Sequence, residues 1–443
     1  MQLNIGIDDT DSKKGGCTTY IAACLVEKLS DMGIKFTDYP NIIRLNPNIP
    51  YKTRGNAAVA LRLEIPSHFY NPILEAVLEE IERNSHFGHP GTDPAAVFVK
   101  GKPAATIKQL SRRALWDVLT GRDAMICLKS SGAEAAAYGT SLGLIGALAA
   151  VGQTLAGDHT YELVAYRDRK NWGTRRLVDE KSVRKMDRLT YPETFNNYDP
   201  ENKRVLITPH GPDPVLLGLR GENPEAVKRA FRMLKIREPV ERWVIFRTNH
   251  GTENHFLQTP IHANSTVKPN RPIILHGVLA KHPHRIRGGH VFFSLDYDEG
   301  TIQCAAFEPT GRLCNVIAQL IAGDEVTVFG GVRNNESDQP LNVNLEKIRV
   351  DRLMEQLQIE NPVCSRCGKH MKSAGKKQGF RCEKCHLKEP KAVKRIVPQR
   401  RPLQPGIYIP TPKAHRHLTK PLHRYGHEKN WNGKPPSGIW HKP

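Results

Sequence analysis

The chain has 443 residues, more than one ordinary domain holds, and with 39% hydrophobic and 25% charged residues it is not a disordered chain. Lys and Arg number 65 against 45 Asp and Glu, a net charge of +20, so the partner to expect is a polyanion, above all nucleic acid. No apolar run approaches the ~20 residues that span a bilayer; the opening MQLNIGIDDTDS lacks the basic and apolar regions of a signal peptide, and nine cysteines, four of them in paired motifs, predict a reducing cytoplasm rather than a disulfide framework.

Leu3–Ile7 reads as a short buried strand that runs into Asp8-Asp9-Thr10-Asp11-Ser12 and a glycine-containing loop. A helix is expected from about Thr18, because Ile21, Leu25 and Leu29 recur at i, i+4 and i+8, with Gly33 as its terminator. Strands are predicted at 42–45, 57–65 and 96–99, and helices at 72–81, 108–119 and 144–151. Strands at 163–166 and 205–208 follow. Asn223-Pro224 then open a helix whose face carries Val227, Phe231 and Leu234, with Asn as the cap and Pro in the first turn. Strands alternating with helices make residues 1–235 α/β or α+β.

From about Arg271 the rhythm changes. Extended runs at 273–280, 290–297 and 301–307 are followed by a helix near 315–321 and strands at 325–330 and 341–350. Three strands, a helix and two strands is the order of an OB-fold barrel, and an SH3-like barrel lacks that helix. The segment from Lys391 onward holds one acidic residue, Glu428, among many Lys, Arg, His and Pro. It is expected to be irregular, or ordered only against the protein or RNA.

Cys364-x2-Cys367 and Cys382-x2-Cys385 are two knuckles that supply the four thiolates of a tetrahedral zinc, filling every position and leaving a structural metal. Lys369, Lys372, Lys376, Lys377, Arg381 and Lys384 around them suit contact with an RNA backbone. At the other end, Asp8, Asp9 and Asp11 close a strand and can hold one or two Mg2+ ions, which in turn bind phosphates. Gly15 and Gly16 allow close backbone approach, and the helix starting near Thr18 adds its amides. This is not a Walker A loop, and a solvated acidic turn is the bland reading. The polar, proline-stiffened 46–56 segment carries Lys52 and Arg54 and can face phosphates or RNA; an ordinary surface loop is the alternative.

GIDDTDS at 6–12, GGCTTY at 15–20, RLNPNIPYKTRGNAAV at 44–59, GLIGALAAVG at 143–152, HVFF at 290–293, CAAFEPT at 304–310 and SAGKKQGFRC at 373–382 occur in an order that resembles the archaeal tRNA(Ile) 2-agmatinylcytidine synthetases, the TiaS family, over about residues 1–425. The resemblance implies a multidomain α/β protein. It has a kinase-like catalytic domain with an interleaved ferredoxin-like domain at 1–240, an OB-fold RNA-binding domain at 265–352, a zinc ribbon at 358–390 and a basic tail at 391–443. It implies a carbon–nitrogen ligase that consumes ATP to join agmatine to the 2-oxo position of the wobble cytidine in the CAU anticodon of isoleucine tRNA. The cytidine is phosphorylated on the way, AMP and phosphate are released, and AUA is then read as Ile. ATP, Mg2+ and structural Zn2+ are the implied cofactors. By motif, Asp8, Asp9 and Asp11 match metal and ATP ligands, Thr18 the threonine that is autophosphorylated, and Thr19 its neighbour and alternative; Gly15, Gly16, Lys52, Arg54 and Asn56 are candidates for phosphate or tRNA contact. The sequence departs from the family in its Gly-Gly pair before Cys17 and in the segment beyond Tyr425, which has no assigned counterpart. The rival readings are a non-catalytic OB-fold and zinc-ribbon RNA-binding protein, and a Mg2+ nuclease using the same carboxylates.

Overall fold

The structure, a computed structural model, describes residues 1–52, 55–257, 267–334 and 340–442. Its first 250 residues are organised by one mixed sheet. β1 (Gln2–Asp8) lies at the heart of it because Leu3, Ile5, Gly6 and Ile7 are apolar or small and buried, while Asn4 is buried with its side-chain amide bonded to the Gly101 carbonyl and to Arg62. β1 is antiparallel to β3 (Ala57–Glu64) on one side and to β4 (Ala95–Lys100) on the other. β2 (Asn41–Arg44) extends the sheet beyond β3, and β5 (Glu134–Ala137) extends it beyond β4. A second antiparallel group, β6 (Thr160–Arg167), β7 (Val215–Gly221) and β8 (Val240–Thr248), is joined to the first by a parallel β2–β8 pairing.

α1 (Thr18–Asp31) and α2 (Tyr70–Asn84) cover one face, where Ile21, Leu25, Leu29, Val77 and Ile81 meet Leu3, Ile5 and Ile7. α3 (Ala105–Ala114), α4 (Gly121–Ser131) and α5 (Gly143–Gly152) cover the other. α5 lies unusually close to the sheet because its contact stripe is glycine and alanine: a β-carbon on Gly6 would fall 2.0 Å from the Ala147 carbonyl oxygen. α6 (Glu180–Thr190) and α7 (Pro224–Arg232) cover β6–β8, and the Asn223 carboxamide caps α7 by accepting from the Ala226 amide at 2.8 Å, as its sequence implied.

Several elements differ from the sequence reading. The 108–119 helix stops at Ala114, because Asn46 draws the carbonyls of Trp116 and Asp117 to its carboxamide at 3.3 and 3.1 Å and the chain turns. The 205–208 strand shrinks to Arg204–Val205, while Ile207 runs on to accept from the Gly218 amide at 2.8 Å. α4 and α6 were not read from sequence, although Thr120 with Asp123 forms a capping box and Asp179 caps α6.

The second body is a closed five-stranded barrel of β9 (Pro272–Leu279), β10 (Val291–Tyr297), β11 (Gly300–Ala306), β12 (Glu325–Arg333) and β13 (Asn342–Arg352). Closure runs β9–β12–β13–β11–β10 and back to β9, the expected OB-fold, with the helix between the third and fourth strands at Arg312–Ile317, slightly earlier than read. Strands Leu357–Glu360 and Arg395–Pro398 pair as a ribbon leading to and from the cysteine module.

The C-terminal segment is ordered against the protein along most of its length. Gly406–Tyr408 adds a strand to β13. Arg424 is buried, donating to Asp158 at 2.9 Å, Glu222 at 2.5 Å and the Gly251 carbonyl at 2.6 Å. Trp431 stacks over Arg247 at 4.1 Å, Trp440 packs on Phe36 and Tyr39, and His441–Lys442 pairs with Val244 and Trp243 of β8.

Candidate functional site

The cleft begins where β1 ends. Asp8 sits in register with Ala95 of β4, and the next residue, Asp9, turns out of the sheet at φ 56°, a left-handed conformation that Asp adopts more readily than most residues. Asp9 Oδ2 accepts the Asp93 amide at 3.0 Å, and Asp93 in turn accepts from the Thr140 amide at 2.9 Å and from its hydroxyl. Asp8 is admitted by α5: a β-carbon on Gly146 would lie 1.7 Å from Asp8 Oδ2. The GLIGALAAVG stripe therefore does two things, packing the helix on β1 and leaving room for a carboxylate beneath it.

Asp8, Asp9, Asp11 and Asp93 line one cavity, together with Lys52 and Asn56 from the opposite wall. Burial raises the Asp8 carboxyl well above the usual range, and Asp9 and Asp11 add to it by repulsion. Burial likewise lifts Asp9 to about 6, with Asp11 and Asp93 contributing. Burial and mutual repulsion therefore both oppose ionisation of Asp8 and Asp9.

Next to it lies a second cavity, reached past Asp11 and Gly55, which line both. Here Thr18 and Thr19, in the first turn of α1, face Ile42, Val164, Ile207, Val215, Glu162 and Asp213. The Thr18 and Thr10 hydroxyls are 3.0 Å apart, which fixes the Thr18 side chain, and Tyr166 donates to the Thr19 carbonyl at 2.8 Å. Glu162 lies between Arg220, at 3.0 Å, and Arg44, at 3.5 Å; burial alone would raise its pKa, but the two guanidiniums outweigh that and hold it below the usual value. His417, from the C-terminal segment, completes the wall, and a β-carbon on Gly55 would come 2.8 Å from its Nε2. The nearby Arg44 charge, then burial, keep this histidine neutral.

The structure thus brings Asp8, Asp9, Asp11, Lys52 and Asn56 to one cavity, and Thr18 and Thr19 to its neighbour. Gly15 and Gly16 line neither; Gly16, at φ 79°, allows the loop to close on the Thr10 carbonyl, 2.9 Å from where its β-carbon would be. Arg54 lies outside the described residues. Asp93, Glu162, Arg220 and His417 were not singled out from sequence. Only Asp93, in GTDPAA just ahead of the strand predicted at 96–99, offered a signal.

In the ribbon, Cys364, Cys367, Cys382 and Cys385 place their sulfurs within 4.8 Å of one another, the only cluster among the described residues at metal-ligand spacing. Four thiolates at about 2.3 Å from one zinc need that convergence. Backbone amides of Cys385 and Lys384 hold the Cys382 thiol below its ordinary value, favouring the thiolate, while His370 and His386 stay exposed.

Family models for the TiaS TCKD domain, the TiaS FLD domain and the TiaS C-terminal zinc ribbon domain match residues 4–140, 141–255 and 361–403. The chain is 41% identical over 428 residues to TiaS of Methanosarcina mazei, an isoleucine-tRNA 2-agmatinylcytidine synthetase, covering 95% of this chain and 97% of that one. It is 42% identical over 425 residues to the same enzyme of Archaeoglobus fulgidus, with 96% and 98% covered. Among solved structures it is similar to TiaS in complex with its isoleucine tRNA and ATP (40% identity, TM-score 0.81) and with the same tRNA, AMPCPP and agmatine (38%, TM-score 0.80), each covering 99% of this chain and 100% of that one.

Proposed function

This chain belongs to the TiaS family of isoleucine-tRNA 2-agmatinylcytidine synthetases, and from that premise we infer that it is the enzyme that attaches agmatine to isoleucine tRNA at the expense of ATP. The reading of a non-catalytic RNA-binding protein is not favoured, since a relative matched over its whole length holds tRNA, an ATP analogue and agmatine together. The observation that carries the chemistry is the pair of cavities joined at Asp11 and Gly55, one acidic, the other lined by Thr18.

The oxygen at position 2 of cytidine is a poor leaving group. Phosphorylation converts it into a good one, and the primary amine of agmatine then displaces that phosphate; a second phosphoryl group passes from the nucleotide to Thr18 and is released from it to water, so ATP leaves as AMP and two phosphates. Asp8, Asp9 and Asp11 are assigned to Mg2+ and the ATP phosphates, a role supported by the raised carboxyl pKa values of Asp8 and Asp9, which a cation would reverse. Thr18 is assigned as the phosphate acceptor, with Thr19 beside it. Lys52, Arg54 and Asn56 are assigned to phosphate or tRNA, and Gly15 and Gly16 to the close turn behind them. The Thr18 cavity suits agmatine: Ile42, Val164, Ile207 and Val215 fit its methylenes, and Asp11, Glu162 and Asp213 are its acidic groups. Zn2+ belongs in the four-cysteine site and holds the ribbon together. No helix among the described residues is long and apolar enough to cross a membrane, and a cytoplasmic site of action accords with the tRNA substrate.

The test is incubation with ATP, Mg2+, labelled agmatine and isoleucine tRNA bearing a CAU anticodon. Label enters intact tRNA only when ATP is present; binding of tRNA without any labelling would refute the reaction.

A further inference from the structure

A third concavity adjoins the acidic cavity on the far side of Gly55 and Asn56; Lys52, Arg333 and Arg416 bring it positive charge, and Arg44, which is paired with Glu162, and the neutral His415 and His417 complete the lining. These residues come from three separate parts of the chain: β2 and the loop after it, the barrel strand β12, and the C-terminal segment. Asn48 pins two of them. Its backbone carbonyl accepts from Arg333 Nη1 at 2.8 Å, and its side-chain Oδ1 accepts from Arg416 Nη1 at 2.7 Å. Gly331 of the barrel makes this seat possible, because a β-carbon there would lie 2.0 Å from Asn48 Oδ1. Lys52 is held beside them by the Pro47 carbonyl, which takes one of its three ammonium hydrogens.

Like charges gathered this way oppose one another. The one carboxylate paired with Arg416 among the described residues, at 2.9 Å, is Glu346, which also meets His255 at 3.2 Å. No acid lines the concavity among the described residues. Burial lowers the Lys52 ammonium to about 8, and Arg416 and Arg333 add to the shift. Arg44 carries a buried Nε–H with no acceptor among the described residues. An electropositive concavity of fixed guanidiniums with a spare donor calls for an anion with several acceptor oxygens, and guanidinium geometry suits phosphate best.

We propose that this concavity is a phosphodiester subsite, assembled by the barrel and the C-terminal segment together, that grips a backbone phosphate of the RNA beside the base under modification. The inference rests on the reading that the chain acts on tRNA and adds to it which residues hold the strand at the cleft. RNA is preferred to ATP as the source of the phosphate because the carboxylates that would take a metal-bound triphosphate line the neighbouring cavity. Arg333 and Arg416 also belong to the barrel and the C-terminal segment, outside the sheet that carries those carboxylates. In this arrangement the cationic subsite holds the strand, Gly55 and Asn56 form the shared wall, and the base enters the acidic side.

The full-length protein is compared with Arg333→Gln, Arg416→Gln and Arg416→Lys, each first checked for an unchanged melting temperature. Binding of isoleucine tRNA with the CAU anticodon is measured over a range of salt, and binding of ATP is measured without tRNA. Each Gln variant is expected to weaken tRNA binding about tenfold and to reduce the slope of log K against log salt by about one, with ATP binding unchanged. Arg416→Lys restores most of the slope. Unchanged slopes in folded Arg333→Gln and Arg416→Gln overturn the proposal, as does weakened ATP binding with an intact tRNA slope, which would hand the subsite to the nucleotide. Labelling of tRNA by the unaltered protein tests the underlying reaction separately, because it does not depend on the slope.

Discussion

The two ligand-gathering centres of this chain are built in opposite ways. The cysteine module takes its ligands from residues at most 21 positions apart, and short-range turns are enough to bring its sulfurs together. The cleft draws on Asp8 and Asp11 from one strand end, Asp93 from a second, Gly146 from a helix, Glu162 and Arg220 from another group of strands, and His417 from near the far end of the chain. A local centre is insensitive to the remainder of the fold, whereas a distributed one is only as good as the packing that brings its parts together. The same contrast separates four thiols that converge on one point from two carboxyls, Asp8 and Asp9, that burial and repulsion hold against ionisation.

That contrast can be broken in steps, beginning with the largest effect. Thr18→Ala should reduce agmatine incorporation into tRNA by at least about a hundredfold, because a nucleophilic or phosphate-accepting hydroxyl has no substitute, while melting temperature and zinc content hold. Full labelling by that variant would remove Thr18 from the chemistry. Gly146→Ala, which touches no substrate in this assignment, should cost roughly ten- to a hundredfold in rate, since its β-carbon would occupy the space of Asp8 Oδ2 at 1.7 Å. Overpacking of this kind costs about 1–3 kcal/mol in stability. A variant with normal kcat would mean that the position of Asp8 matters less than its charge.

Cys382→Ser sharpens the other half of the comparison. Zinc content should fall to nothing and tRNA affinity by about tenfold, yet ATP binding to the cleft should stay as it was. An equal loss of ATP binding would show that the ribbon is not the independent unit its short-range ligands imply. The smallest effect concerns pH. Burial, with Arg416 and Arg333, pushes the Lys52 ammonium down to about 8, and Glu346 is the opposing charge. Its positive charge is therefore complete below that value and lost above it. tRNA affinity should weaken a fewfold between about pH 7 and 9, and the trend should disappear in Lys52→Gln; a flat profile for the unaltered protein would remove Lys52 from the RNA contact.

What could be read from sequence follows the same division. The four cysteines were legible because two CxxC turns and the residues between them define the site without any tertiary information. The barrel was legible because its order, three strands, a helix and two strands, is a local rhythm repeated over some 80 residues. The Asp8–Asp11 cluster could be seen as unusual, but what surrounds it could not. Nothing in the composition near Asp93 or Glu162 says that one accepts bonds from Thr140 and the other from Arg220, because those contacts are made by sheet register and helix packing. The C-terminal segment shows the limit most clearly. Its basic, proline-rich composition resembles that of unstructured tails, yet Arg424 finds Asp158 and Glu222, 266 and 202 positions earlier, and is buried by them. Composition gives the charge of a segment and not the address of its partners.

The antiparallel pairing of His441–Lys442 with Val244 and Trp243 has a consequence for biosynthesis. On the ribosome the amino-terminal strands emerge first, together with the carboxylates that end β1. The wall of the cleft that carries His417 is made roughly four hundred residues later, and the segment that follows it is fastened to the sheet only as residue 442 leaves the exit tunnel. Until those residues are made, then, the nascent enzyme has its acidic residues but not the wall opposite them. Pairing between such distant segments is slow to form, which separates the appearance of the acidic motif in the cell from the completion of the cleft. A chain released early would carry every sequence signature of the amino-terminal domain and lack the enclosed cleft that those residues line.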